Sequence, residues 1–205
     1  MPRHEPEDRE RAIRLHCEAG NYGLALEAVW RAYRTEMHRF LVGVLDDEDT
    51  AEEVFSAFSE EVWKGLPGFR WESSFRTWGY RLLRAAWFRY LRSPKRREQP
   101  VTSSALPEQE APNRSVTHPW LRTDVKRDFS ALRQQLAPTD QMILMLRIDR
   151  RLEWTEIARI MDEDEEPLTG AAMTRKSAAL RQRFQSIKEQ LREMARAAGL
   201  VAPDV

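Results

Sequence analysis

Between Phe69 and Arg92 the chain interleaves aromatic rings with arginines at helical spacing. With Ser73 or Ser74 as N-cap, Phe75, Trp78, Gly79, Leu82, Leu83, Ala86 and Tyr90 recur at i, i+3, i+4 and i+7 and form one apolar stripe. The opposite side then carries Arg76, Tyr80, Arg81, Arg84, Trp87, Phe88, Leu91 and Arg92. A face meant only for water would hold Lys, Glu and Gln instead. Rings worth ~1–3 kcal/mol per stacked base, set among guanidiniums that hold phosphates, are what a platform for unpaired nucleic acid requires. A structural alternative stands beside this reading, in which Trp87 and Phe88 pack under a neighbouring helix.

The elements that must position this face are helices. A short one is expected from about Glu7 to Ala19, stopped by Gly20 and the turn Asn21-Tyr22-Gly23. Leu26, Val29, Trp30, Tyr33, Met37, Phe40, Leu41 and Val44 keep helical spacing in a long amphipathic helix that ends in the acidic turn Asp46 to Asp49. Thr50-Ala51-Glu52-Glu53 has the form of a capping box opening a helix with Ala51, Val54, Phe55, Phe58 and Val62 inside. Glu52, Glu53, Ser56, Glu60 and Trp63 share its other side, a face for solvent or for a basic partner. Pro67-Gly68 breaks the chain before the aromatic helix.

From Ser93 to Pro119 five prolines punctuate a polar stretch that has the composition of a flexible linker. Beyond it, Thr123 caps a helix carrying Val125, Phe129, Leu132 and Leu136, and a buried helix follows over Asp140 to Asp149. Thr155 to Met161 is a short helix, and after an acidic loop a long basic helix runs from about Thr169 to Ala198. Short helix, turn and longer basic helix is the helix-turn-helix order, in which the second helix enters the major groove.

Gly is scarce, alternating strand patterns are absent, and Arg, Glu, Ala and Leu dominate, so the class is all-α. At 205 residues, two small helical domains fit best: 21–97 and 120–200, preceded by an N-terminal extension over 1–20 and joined by a flexible linker over 98–119. Thirty-three basic and 33 acidic residues give a formal net charge of zero. The acids are segregated, however, into Asp46 to Asp49 with Glu52-Glu53 and into Asp162 to Glu166, which implies at least two kinds of partner surface. A single cysteine, Cys17, excludes an internal disulfide framework. His4, His16, His38 and His118 lack ligand spacing, so neither a metal nor a cofactor is expected. The longest apolar run, Met142 to Leu146, is far below the ~20 residues that span a bilayer, and the N-terminus lacks a signal-peptide core, so no membrane insertion and a cytoplasmic location are expected. With no nucleophile and base pair, glycine-rich phosphate loop or buried carboxylate pair in sight, the chain is not expected to be an enzyme.

Laid out in this way, the chain resembles a bacterial RNA polymerase sigma factor of the extracytoplasmic-function group, in the sigma-70 family. The resemblance rests on Glu52-Glu53-Val54, Val62 to Arg70, Glu72 to Trp78, Tyr80-Arg81 and Tyr90-Leu91-Arg92 in the first half. In the second half it rests on Leu136-Ala137-Pro138, Leu144 to Arg147 and Leu152 to Met161. It implies a transcription initiation factor whose partners are core RNA polymerase and promoter DNA, with an anti-sigma factor as a further candidate. Glu52, Glu53, Ser56, Glu60 and Trp63 would dock on the polymerase clamp. Arg76, Trp78, Tyr80, Arg81, Arg84, Trp87, Phe88 and Arg92 would open and hold the minus-ten element. Thr174, Arg175, Lys176, Ala178, Ala179, Arg181 and Gln182 would read the minus-thirty-five element in the major groove, where arginine to guanine is the commonest specific pairing. The chain departs from the family where Ser56-Ala57 replace the usual Gln-Glu or Gln-Asp, Ala85 an Asn, and Trp71 a Gly. These departures raise a second reading, a sigma-like interaction protein that binds a regulator or one polymerase surface without initiating transcription.

Overall fold

The computed structural model describes residues 6–94, 121–164 and 168–200, with the side chains of 6–8 and 121–127 excepted. The linker expected over 98–119 lies outside the described residues. Among them there are helices and turns and no strand, as the composition requires.

Helix α1, Pro6–Glu18, turns Ile13 fully inward and stops at Gly20, whose φ of 72° is the left-handed value that glycine adopts without strain. Helix α2, Tyr22–Leu45, buries Ala25, Val29, Tyr33, Met37, Phe40, Leu41 and Val44. It ends on Asp46 in the left-handed region, whose N–H donates to the Val42 carbonyl. Helix α3, Glu48–Gly65, starts earlier than the sequence suggested, and Thr50 is not its cap. Asp47 is the N-cap, its carboxylate accepting the Thr50 N–H at 2.7 Å, while Thr50 itself turns into the protein. In a run of four consecutive acids several residues can cap, and packing of Thr50 selects among them.

A single 3-10 turn, Leu66–Gly68, leads into the loop before α4, Phe75–Arg92. Ser74 is its N-cap, accepting the Thr77 N–H at 3.1 Å. The second half contributes α5, Leu121–Gln134; α6, Pro138–Ile148; α7, Trp154–Ile160; and α8, Gly170–Ala197. Helix α5 already includes Leu121 and Arg122, so Thr123 is not the cap expected for it. Pro138 opens α6, where its missing N–H is no loss.

The buried residues of the two halves form one contiguous cluster. Gly43 of α2 admits Met145 of α6 so closely that a Cβ there would lie 2.6 Å from the Met145 Cε. The Gln134 amide donates to the Gly43 carbonyl at 3.1 Å, and the Arg150 guanidinium sits 5.9 Å from the centre of the Phe40 ring. Helix α7 lies against α4. No helix among the described residues is long and apolar enough to cross a membrane.

Candidate nucleic-acid interface

Helix α4 is covered on more than one side, by α2, α3 and α7, and this divides the residues that the helical wheel had grouped together. Tyr80 and Trp87, expected on the outward face, belong to the core at 0% and 1% exposure. Tyr80 meets Phe40 edge-on at 5.3 Å, and its hydroxyl donates to Glu36 Oε1 at 3.0 Å. Burial first, and then the Glu36 charge, push its pKa well above the ordinary tyrosine value. Trp87 meets Phe88 edge-on at 5.3 Å, and its indole N–H has no partner among the described atoms. The structural alternative therefore holds for Trp87, while Phe88 is half-buried. A one-sided stripe is a sound reading only for a helix with one packed side.

Arg76, Arg81 and Arg84 are partly buried, each engaged by a neighbour. Arg76 binds Glu36 Oε1 through Nε at 2.8 Å and Nη2 at 2.7 Å, and donates to the Arg150 carbonyl at 3.2 Å. Arg81 donates to the Asp164 carbonyl. Arg84 pairs with Glu163 while its guanidinium lies 5.1 Å from the Phe88 ring centre. Arg92, at the helix end, is exposed, as is Arg89, which pairs with Glu61 at 3.3 Å. The Glu163 carboxylate and the Asp164 carbonyl, between α7 and α8, thus occupy two arginines that were expected to hold phosphate.

Trp78 is half-buried, stacked on Phe69 at 4.7 Å and edge-on to Phe75 at 5.4 Å. Gly65 lets it in, since a Cβ there would lie 2.9 Å from the indole. Beside these rings an open cleft of about 230 Å³ lies between the halves, lined by Phe69, Arg70, Trp78, Arg81, Arg159 and Asp162 among others. Rings and guanidiniums line it together, the mixture that base stacking and phosphate binding use.

The outer side of α3 is as expected. Glu52, Glu53, Ser56, Glu60 and Trp63 are all exposed, Trp63 at 50%. Glu52 lies 2.9 Å from His38 and 3.5 Å from Arg34, and Glu60 pairs with Lys64 at 3.4 Å, contacts that water weakens. On α8, Thr174, Arg175, Ala178, Ala179, Arg181 and Gln182 are exposed along one side near the N-terminus. Lys176 differs: it holds the buried carboxylate of Asp162 at 2.7 Å and so fixes the turn. Behind the exposed side, Trp154 meets Phe184 edge-on at 5.4 Å, and Arg183 makes two bonds to the buried Asp140, at 2.8 and 2.7 Å.

Glu36 was missed by the sequence reading, although it carries both Arg76 and Tyr80. Its signal was there: a carboxylate three residues after Tyr33 and four before Phe40, inside the apolar stripe of α2. Glu10 was missed without any such signal. None of the curated proteins compared with the chain matches it. Residues 29–97, which hold most of α2, all of α3 and all of α4, match the family model described as Sigma-70 region 2.

Proposed function

We propose that the protein is a sigma factor of the sigma-70 family, in the extracytoplasmic-function group, that binds core RNA polymerase and directs it to a set of promoters without making or breaking bonds itself. The observation that carries this reading is the Sigma-70 region 2 match over the segment that presents both the acidic side of α3 and the arginine-rich side of α4. In this reading Glu52, Glu53, Glu60 and Trp63 meet the polymerase, and Arg76, Trp78, Arg81, Arg84, Phe88 and Arg92 meet the minus-ten strand. Helices α7 and α8 are a helix-turn-helix whose Arg175, Arg181 and Gln182 face the minus-thirty-five element, an assignment supported by their exposure. Strand loading then requires α7 and its following turn to leave α4, because Glu163 and Asp164 stand on Arg84 and Arg81.

That same occupation favours the second reading, an interaction protein whose α4 face never meets DNA. In vitro transcription with purified core polymerase on a genomic fragment library separates the two. The sigma reading expects transcripts from a shared promoter class that depend on the added chain. Stable core binding with no promoter-specific transcript would leave the interaction protein.

A further inference from the structure

Helix α1 lies outside the segment matched to Sigma-70 region 2, yet its side chains reach the start of α4. The Glu10 carboxylate accepts the Phe75 N–H at 2.9 Å through one oxygen, and the Arg76 N–H at 3.0 Å through the other. The Tyr33 hydroxyl donates to the same Glu10 at 3.0 Å, and the Tyr33 ring stacks on Phe75 at 5.6 Å. An α-helix leaves its first N–H groups without intrahelical partners. In α4, Ser74 takes that of Thr77, and Glu10 takes those of Phe75 and Arg76, from 65 residues away in the chain. A carboxylate there also meets the positive end of the helix dipole.

A second contact fixes the loop just before this turn. Trp71 has a φ of 58°, a left-handed value that an L side chain rarely adopts and that glycine takes freely. Its ring is held between Phe69, at 4.7 Å, and the Arg14 guanidinium, at 5.6 Å. Strained backbone persists where its surroundings over-determine it. Here the surroundings include α1, through Arg14. The loop and first turn so held, with Phe69, Glu72, Ser73, Thr77 and Trp78, form one wall of the cleft between the halves.

We propose that α1 is a positioning element for promoter opening, with Glu10 setting the first turn of α4 and Arg14 setting the Trp71 bend. Neither residue touches DNA; each acts through the cleft wall. The inference rests on the sigma-factor reading and adds to it a role for the N-terminal helix.

The test uses the full chain with core polymerase. Glu10→Ala is compared with Glu10→Gln, which keeps the shape and one carbonyl acceptor but loses the charge and the second acceptor. Permanganate reactivity of promoter thymines reports opening, a pull-down reports core binding, and urea midpoints report folding. Loss of two charge-assisted bonds predicts roughly a tenfold fall in opening for Glu10→Ala, a smaller fall for Glu10→Gln, and core affinity within about twofold, since α3 carries docking. Opening that is unchanged, or that falls only in step with core binding and folded fraction, overturns the proposal. Tyr33→Phe serves as the milder variant, because it removes one bond to Glu10 while leaving both amides bound; a small fall in opening is expected from it. If the parent opens no promoter at all, the sigma reading fails and the role in opening falls with it. Amide exchange at Phe75 and Arg76 then decides the clamp itself: faster exchange in Glu10→Gln upholds the capping contact, and unchanged exchange removes it.

Discussion

Replacing Glu163 by Arg should raise the affinity of the free chain for single-stranded DNA. In the structure Arg84 is nearly covered, its side chain 12% exposed, held between the Phe88 ring and Glu163, whose own side chain is 77% exposed. A pair with one partner in water contributes ~0.2–1 kcal/mol, and reversing the charge replaces that attraction by a repulsion of similar size. The closed arrangement of α4 and the turn is therefore weakened by about 0.5–2 kcal/mol in total. Where the binding-competent form is a small fraction of the population, apparent affinity rises in proportion to that fraction. At about 1.4 kcal/mol per tenfold, the gain is roughly 2- to 30-fold. Fluorescence anisotropy with a labelled single strand, titrated at low and moderate salt, measures it. Any added positive charge raises affinity for DNA to some degree, so Glu27→Arg, on the exposed side of α2, is the control. Equal gains for the two variants, or none for Glu163→Arg, would refute the view that this turn covers a nucleic-acid face.

On the proposed docking, where the partner surface is basic and partly desolvated, reversing Glu52 and Glu53 to Lys should weaken core polymerase binding by more than the ~1 kcal/mol of exposed pairs; an unaffected pull-down counts against the docking face. Trp87→Ala should cost ~3–5 kcal/mol of stability, read from the denaturant midpoint, because the ring is core; a cost under about 1 kcal/mol would return it to the surface. Arg175→Ala and Arg181→Ala should leave stability within about 0.5 kcal/mol while weakening and relaxing promoter selection by ~1–3 kcal/mol for whichever of them reads a base, measured by binding to variant sites. The hydroxyl and the N–H of Thr50 hold Asp47 below the ordinary carboxylate pKa. A depressed folded-state pKa stabilises above the unfolded value, so the melting-temperature gap between parent and Asp47→Ala should be full at neutral pH and close as pH falls through the depressed folded-state pKa.

Helix positions were legible because their cause is local. The buried positions of α2 follow the spacing read from Val29 to Val44, and Gly20, Ser74 and Pro138 mark ends that backbone chemistry dictates. Tyr80 and Trp87 were misread for a non-local reason. Their spacing from Phe75 puts them off the first stripe, and only the second covering of α4 puts them inside. Glu10 was out of reach altogether, since an exposed-looking carboxylate on a short helix reads like its neighbours Glu7 and Asp8 until the chain brings Phe75 to it.

The zero net charge now has a physical account. Of the two acidic runs, Asp46 to Asp49 is exposed at the entrance to α3. In the other, Asp162 is buried against Lys176 and Glu163 lies on Arg84. The basic helix α8 keeps Arg175 and Arg181 in solvent, while Arg84 on α4 is neutralised by Glu163, ahead of α8. Long-range steering acts through exposed charge and falls off within a Debye length of about 8–10 Å at physiological salt. In the proposed function, duplex DNA approaching the free chain therefore meets the exposed arginines of α8 and of the end of α4, and Arg84 becomes available to a strand once the turn has moved.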